Sequence, residues 1–138
     1  MAAVITAVDT NVLLDVFGAD PKFGPASSEA LRRCLREGAL IPSEVVWAET
    51  ATVFGDTERF RDAIRKLAAS FSPMTQEAAM KAAQAWRRYR AGGGPRSRIA
   101  ADFLIGAHAL TAADRLLTRD QGFYRRYFAG LRVLDPSA

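Results

Sequence analysis

Short apolar runs alternate with longer amphipathic segments along this chain, and the alternation predicts its secondary structure. The run Val4–Val8 is rich in β-branched residues, as expected for a strand buried on both faces. Further short strands are predicted at Ala39–Ile41, Arg115–Thr118 and Leu131–Leu134. Strands that alternate with helices are typical of an α/β domain with right-handed crossovers. We therefore predict a mostly parallel central sheet of four to five short strands with helices on both faces.

Polar residues and prolines between the strands indicate where helices begin. Gly38 is predicted to end one helix, and Pro73 and the connector Gly92–Pro95 interrupt the chain later. The predicted starts, in chain order, are Val12, Ser27 or Ser28, Ser43, Asp56, Thr75, Ser97 and Asp120.

The composition fits one globular domain over residues 1–138. Hydrophobic residues make up 49% of the chain and charged residues 25%, which excludes the disordered and fibrous classes. The apolar stretch Met1–Val8 is too short to cross a bilayer and lacks the features of a signal peptide, so no membrane association is expected. The single cysteine, Cys34, cannot form an intrachain disulfide, which favours a reducing cytoplasm.

The charge balance leaves two explanations open. Nineteen basic residues stand against fifteen acidic ones, and the formal net charge is +4. Most of the basic residues are arginines, whose planar guanidinium matches phosphate groups. A basic surplus attracts nucleic acid, but a soluble protein with a slightly basic face shows the same balance.

Four acidic residues occupy positions that suggest chemistry. Asp9 directly follows one predicted strand and Asp120 comes shortly after another, at the sheet edge where ligands bind in parallel sheets. The structural alternative for Asp120 is a helix N-cap. Glu49 and Asp102 lie on predicted apolar helix faces, where a salt bridge to arginine is the structural alternative. The apolar neighbours at helical spacing are Val45, Val46 and Val53 for Glu49, and Ile99, Ile105, Gly106 and Ala109 for Asp102.

Convergence of these four carboxylates in one cleft would require a compensating cation. Two carboxylates about 4 Å apart repel by roughly 4 kcal/mol at an effective dielectric constant near 20. Oxygen ligands favour the hard ions Mg²⁺ and Mn²⁺. A zinc site built from Cys and His is excluded, because the chain has one residue of each. The sole histidine, His108, follows Asp102 by six positions and is expected to be structural.

The four acidic elements also occur in a recognisable order. The segments are Val8–Asp15 (VDTNVLLD), Glu49 in the helix after a short strand, Asp102–Ala107 (DFLIGA) and Leu116–Phe123 (LLTRDQGF). Together they closely resemble the PIN-domain ribonucleases and, within that family, the VapC toxins of bacterial toxin–antitoxin pairs. The resemblance extends over essentially the whole chain.

The resemblance implies an activity, a cofactor and partners. It implies a Mg²⁺-dependent endoribonuclease, with Mn²⁺ as a substitute ion, that cuts structured RNA such as tRNA or rRNA by attack of a metal-activated water. It further implies a VapB-type antitoxin and a homodimeric toxin. The catalytic and metal-binding residues that it implies are Asp9, Glu49, Asp102 and Asp120, with Asn11 and Thr118 in supporting roles.

Arginines and aromatic residues supply two further hypotheses. Arg98, Arg119 and Arg96 are predicted to contact RNA phosphates, although solvated helix ends explain such arginines equally well. Four phenylalanines, Phe17, Phe23, Phe54 and Phe60, either line a groove for an antitoxin segment or belong to the core.

Three other functional classes are alternatives to a nuclease. A haloacid-dehalogenase-type phosphatase needs a second aspartate where this chain has Asn11. A signalling receiver domain needs a lysine after a late strand, whereas the lysines here are Lys22, Lys66 and Lys81. A catalytically silent RNA-binding PIN-like module or scaffold stays open as the alternative, although it leaves the acids on apolar helix faces unexplained.

Overall fold

The computed structural model describes residues 3–95 and 98–137, so the predictions that fall on Met1, Arg96 and Ser97 lie outside the described residues. Within this part of the chain there are four strands and seven helices. In chain order they are β1 (Val4–Val8), α1 (Thr10–Phe17), α2 (Gly24–Glu37), β2 (Gly38–Ile41), α3 (Glu44–Ala51), α4 (Thr57–Leu67), α5 (Gln76–Ala91), α6 (Ala100–Ala112), β3 (Arg115–Leu117), α7 (Gln121–Tyr127) and β4 (Val133–Leu134).

The four strands form one parallel sheet in the order β2-β1-β3-β4. Strand β1 is central, because Thr6 pairs with Leu40 on one side and with Arg115 on the other. Beyond the strand ends the Asp9 amide donates to the Leu117 carbonyl at 2.9 Å. The sheet confirms the predicted α/β fold, and it places the residues that follow β1 beside those that follow β3.

The core fills the space between this sheet and the helices. Val8, Leu116 and Leu117 on the central strands are at most 1% exposed, as are Val12 and Leu13 of α1. The strand residues among them are apolar and lie between layers of helices, which explains why the short β-branched and leucine runs form internal strands. Burial of this kind is the main stabilising contribution to such a domain.

Helix starts were predicted well where a side chain caps the helix. Ser43, Asp56 and Thr75 each accept a hydrogen bond from a backbone amide in the first turn, at Val46, Glu58 and Ala78 respectively. The prediction for Ser27 or Ser28 is wrong, because α2 begins at Gly24 with Pro25 in its first turn. Proline favours this position, since the first helical amides have no partner within the helix.

Two of the expected apolar neighbours of the acidic residues are exposed. Helix α3 ends at Ala51, and Val53 in the following turn is 61% exposed. Ile99 precedes α6 and is 57% exposed. The inward-facing stripes are therefore shorter than predicted, whereas Val46 on α3 and Ile105 on α6 are buried as expected.

None of the helices in residues 3–95 and 98–137 is long and apolar enough to span a membrane.

Candidate active site

Asp9 lies at the carboxyl end of the central strand and is held by neighbouring donors. It is the N-cap of α1, and its Oδ1 accepts a hydrogen bond from the Thr10 amide at 2.7 Å. Its Oδ2 accepts from the Thr118 hydroxyl at 2.8 Å and faces the Asn11 amide nitrogen at 3.4 Å. These contacts fix both carboxylate oxygens at the point where β1 and β3 end.

Thr118 and Asn11 connect Asp9 to the segment that begins α7. The Thr118 hydroxyl also accepts a hydrogen bond from the Asp120 amide at 3.0 Å. The Asn11 side-chain oxygen accepts from the Arg119 amide at 3.3 Å. The two predicted supporting residues thus lie in one hydrogen-bond network that joins the loops after β1 and β3.

The electrostatic environment of Asp9 opposes its negative charge. The residue is only 6% exposed, and burial raises the pKa of its carboxyl above the ordinary value of 3.8. The negative charge of Asp102 raises this pKa further, while hydrogen bonds from Thr118, Thr10 and Tyr124 oppose the shift. No arginine or lysine in the described part of the chain forms an ion pair with Asp9. A bound cation would relieve this strain.

Tyr124 is a residue of this site that the sequence interpretation missed. Its phenol is buried close to Asp9, and burial together with the charges of Asp9, Asp102 and Asp120 raises the pKa of its hydroxyl. The phenol therefore stays protonated and can donate to the carboxylates around it. The available signal was its spacing, because Tyr124 follows Asp120 by one helical turn.

Asp120 and Asp102 share Arg98. Both Asp120 oxygens accept hydrogen bonds from the Arg98 guanidinium, and Arg98 Nη2 lies 3.2 Å from Asp120 Oδ1. Arg98 Nη1 is 4.0 Å from Asp102 Oδ1, and the guanidinium lies 4.3 Å from the centre of the Phe123 ring. The hydrogen bonds to Asp120 hold the pKa of Arg98 above its usual value. The N-cap hydrogen bond considered for Asp120 is not made. The arginine pairing considered for Glu49 and Asp102 is approached at Asp102, but the arginine forms its hydrogen bonds with Asp120.

Asp102 and Glu49 each accept a hydrogen bond that fixes the position of the carboxylate. Asp102 Oδ2 accepts a hydrogen bond from the Ile99 amide at 3.1 Å, at the start of α6. Glu49 Oε1 accepts from the Thr10 hydroxyl at 2.7 Å, which ties α3 to the residue after Asp9. The structure therefore gathers three aspartates around Tyr124, and Glu49 reaches this group through Thr10.

Two of the three arginines predicted to contact RNA, Arg98 and Arg119, have intramolecular partners in this structure. Arg119 forms two contacts with Asp15, at 2.8 and 3.1 Å, and its guanidinium lies 4.0 Å from the centre of the Phe23 ring. Arg98 is paired with Asp120, and Arg96 lies outside the described residues. RNA contact by these three arginines stays a prediction.

The donor set fits a hard divalent cation in kind, because every candidate donor is a carboxylate oxygen. Asp9 and Asp102 are near enough for the charge of one to raise the pKa of the other. Within residues 3–95 and 98–137, however, no three His, Cys, Asp or Glu side chains are already arranged around a common metal position. Because Arg98 engages both oxygens of Asp120, that carboxylate can join a metal site only after Arg98 moves.

Comparison with known families identifies this arrangement. The PIN domain profile matches residues 6–129, which includes all four predicted acidic residues. The chain belongs to the PIN domain family. PIN domains are nucleases, and they generally depend on metal ions. No curated protein sequence matches the chain at a significant level.

Solved structures of VapBC proteins are similar to this chain in fold. VapBC2 from Rickettsia felis, solved with a DNA fragment from its promoter, has a TM-score of 0.74 at 15% identity, covering 95% of this chain and 98% of that one. VapBC-1 from nontypeable Haemophilus influenzae has a TM-score of 0.74 at 18% identity, covering 97% and 99%. DNA-bound VapBC from Salmonella typhimurium has a TM-score of 0.72 at 17% identity, covering 96% and 98%.

Proposed function

We propose that this PIN domain is a divalent-metal-dependent endoribonuclease and acts as the toxin of a type II toxin–antitoxin pair. Its substrate would be structured RNA such as tRNA or rRNA, and its inhibitor a VapB-type antitoxin. The proposal also takes the toxin to be a cytoplasmic homodimer. Support comes from membership of a nuclease family and from a fold shared with proteins solved as VapBC complexes.

The state of Asp9 is the observation that carries the nuclease proposal. A buried carboxylate that no described basic residue pairs with is costly for a small domain. A purely structural role would not require this cost, since an asparagine could keep the N-cap hydrogen bond at the same position. A catalytic carboxylate that binds a cation, in contrast, needs its negative charge.

The roles of the side chains follow from their contacts. Asp9, Asp102 and Asp120 would hold Mg²⁺ or Mn²⁺, and Glu49 would act from the Thr10 side of the cleft. Thr118 and Asn11 orient Asp9, so a positioning role fits both residues. Tyr124 is buried close to Asp9 and, as a protonated phenol, can donate to it.

A bound divalent ion supplies the Lewis acidity that lets water attack the phosphodiester at neutral pH. Attack by water forms a new P–O bond and breaks the bond to the 3′ oxygen, which takes up a proton. The products carry 5′-phosphate and 3′-hydroxyl ends, so the RNA 2′-hydroxyl is not required. No histidine is needed either, which agrees with the position of the buried His108 beside Ser72.

Metal-dependent cleavage of RNA tests this proposal. Purified chain is incubated with total tRNA and rRNA in Mg²⁺ or in EDTA, and the new 5′ ends are mapped. We expect discrete cuts in Mg²⁺, no cuts in EDTA, and loss of at least about a hundredfold in rate for Asp102→Asn. The matched control is Asp62→Asn, which removes one negative charge from an exposed position on α4.

Two results would contradict the nuclease proposal. Intact RNA in Mg²⁺, despite measurable binding of the RNA, would favour the catalytically silent RNA-binding module or scaffold. Equal rates of RNA cleavage by Asp102→Asn and wild type would show that the acidic cleft does not take part in the reaction.

An apolar groove supports the antitoxin part of the proposal. Phe17 and Phe54 pack edge to face at 5.6 Å and, with Leu14 and Val53, line a cavity of about 450 Å³. Of the other two candidates, Phe60 is a core residue at 2% exposure, and Phe23 lies under Arg119. We assign the cavity to an apolar segment of the antitoxin, because exposed apolar surface such as Val53 is typical of protein interfaces.

A further inference from the structure

Three arginines line two cavities beside the candidate active site, on either side of the loop Gly92–Pro95. Arg90 lines a cavity of about 680 Å³, and Arg126 lines another of about 610 Å³. Arg98, which also contacts Asp120, lines both. None of the described residues that line them is acidic. We call Arg90, Arg98, Arg126 and this loop the arginine groove.

The two outer guanidiniums of the groove lie over aromatic rings. The Arg90 guanidinium is 4.6 Å from the centre of the Trp86 ring, and that of Arg126 is 5.4 Å from the Tyr127 ring. The Trp86 ring is itself stacked on Phe103, at 5.5 Å and an interplanar angle of 10°. A guanidinium placed on a ring loses less conformational freedom when it binds an anion, and its outer face stays open to a planar ligand.

The loop between the two cavities is fixed to α5. The Tyr89 hydroxyl donates to the Pro95 carbonyl, and the Gly94 amide donates to the Tyr89 carbonyl at 2.9 Å. Gly94 also lies directly against the Tyr89 ring, because a Cβ there would be 2.5 Å from Cζ of that ring. This part of the loop is therefore a defined wall that both cavities share.

The charges of Arg90 and Arg126 are available to a ligand. Both residues are exposed, and neither forms an ion pair with any other residue that the structure describes. Five of the other exposed arginines pair with nearby carboxylates on their own helices, namely Arg32, Arg33, Arg36, Arg61 and Arg65.

The geometry points to the arginine groove as a binding site for a single-stranded RNA segment next to the phosphodiester that is cut, an inference that rests on the proposed function. Arg90 and Arg126 would bind backbone phosphates on the two sides of the loop. Unpaired bases would stack on the exposed guanidinium faces, as bases do on arginine in single-stranded RNA complexes. A duplex keeps its bases stacked inside and could use only the phosphate contacts. In a structured RNA, the groove would therefore select a loop.

RNA binding without metal tests this inference separately from catalysis. The wild-type chain in EDTA is titrated against a short dye-labelled oligouridylate and against a blunt-ended RNA duplex that has no loop, and fluorescence anisotropy gives Kd at several salt concentrations. The test variant is Arg90→Gln/Arg126→Gln. The control, Arg33→Gln/Arg61→Gln, removes the same charge from exposed positions on α2 and α4.

We expect the test variant to bind oligouridylate at least about tenfold more weakly than the control. Loss of two phosphate contacts should also reduce the slope of log K against log salt by about 1.4. Arg90→Lys/Arg126→Lys should restore most of the salt slope but not the full affinity, because lysine keeps the charge and lacks the planar guanidinium. Circular dichroism melting checks that all variants are folded.

Equal affinity and equal salt slope in the test and control variants would overturn the inference. Wild-type binding of the loop-free duplex as tightly as oligouridylate would overturn the single-strand assignment. The titrations contain EDTA and therefore measure RNA binding without cleavage. The groove can bind RNA even if the chain does not cut it, and the chain can cut RNA even if the groove does not bind it. The two proposals are therefore refuted by different results.

Discussion

Arg98 supplies positive charge on the Asp102 and Asp120 side of the acidic cleft. It engages Asp120 with two hydrogen bonds and lies 4.0 Å from Asp102. A divalent ion bound by these carboxylates would repel the guanidinium, so the ion and Arg98 compete for the same oxygens. The positive charge of Arg98 helps acids from distant parts of the chain to lie together, although no three of the described donors share a metal position.

Replacement of Arg98 should therefore strengthen metal binding. We expect Arg98→Gln to bind Mn²⁺ about fivefold more tightly than wild type, since removal of one partly exposed ion pair is worth about 1 kcal/mol. Calorimetric titration in the absence of RNA measures the affinity. Arg33→Gln, at an exposed position on α2, is the matched control. Weaker or unchanged binding in Arg98→Gln would show that the arginine does not compete with the ion.

Single residues were predictable where a local rule applies. Asp9 and Asp120 follow strands, and the carboxyl ends of parallel strands meet at one sheet edge, so their proximity could be expected. The pairing of Arg98 with Asp120 and the burial of Tyr124 beside Asp9 could not. Both depend on how α6 and α7 pack, and contacts between separate helices leave no periodic signal in the sequence.

Packing between elements gives a stability prediction at Gly106 on α6. A Cβ at this position would lie 2.4 Å from Cε2 of the buried Phe128 ring. We expect Gly106→Ala to lower the free energy of unfolding by about 1–2 kcal/mol, because overpacking outweighs the better helix propensity of alanine.

Gly122 on α7 provides the control for this substitution. A Cβ there has no neighbour within 4 Å, so Gly122→Ala should leave the free energy of unfolding unchanged or raise it by up to about 1 kcal/mol. Urea denaturation of both variants measures the difference. Equal stability of Gly106→Ala and Gly122→Ala would contradict the packing described for α6.

The contact between α6 and the segment before α5 should depend on pH. His108 Nε2 lies 2.9 Å from the Ser72 hydroxyl, and burial lowers the pKa of this histidine below 6.5, although the charge of Glu44 opposes the shift. The unfolded state then binds a proton more readily than the folded state below pH 6.5. Stability should fall as the pH drops from about 6.5 through the lowered pKa, by at most about 1.4 kcal/mol per pH unit.

His108→Asn isolates this effect, because it removes the only histidine in the chain. The difference in free energy of unfolding between wild type and His108→Asn, measured by urea denaturation from pH 5 to 8, cancels the contributions of carboxylates such as Asp9. We expect the difference to be constant above about pH 7. Below that pH, wild type should lose stability relative to His108→Asn. A difference that does not change with pH would show that His108 titrates normally.

Elements were predictable where sequence signals act within a few residues. The runs Val4–Val8 and Ala39–Ile41 coincide with β1 and most of β2, and three predicted capping residues cap their helices. The start of α2 was misplaced because Pro25 favours both a loop and a first helical turn. The length of α3 was overestimated because Val53 continues the apolar spacing past the end of the helix.

Over the whole molecule, the carboxylates of the cleft and the outer arginines of the groove, Arg90 and Arg126, occupy adjacent but separate places, and Arg98 lies between them. The cleft carries Asp9, Asp102 and Asp120, while the adjacent arginine groove contains no acidic residue among its described lining. The net charge of +4 shows that basic residues are in excess, but it does not show that the carboxylates and the outer arginines occupy separate places. The α/β class followed from the alternation of strands and helices, whereas the strand order depends on crossovers that the pattern does not specify.

We propose that Asp9 keeps its negative charge in order to bind a divalent cation. Calorimetric titration of Mn²⁺ into wild type, Asp9→Asn and the exposed-site control Asp62→Asn tests it most directly. We predict Mn²⁺ binding by wild type and Asp62→Asn, and a loss of at least about tenfold in affinity for Asp9→Asn. Absence of Mn²⁺ binding by folded wild type, or equal binding by Asp9→Asn, would show that the Asp9 carboxylate does not hold a divalent cation.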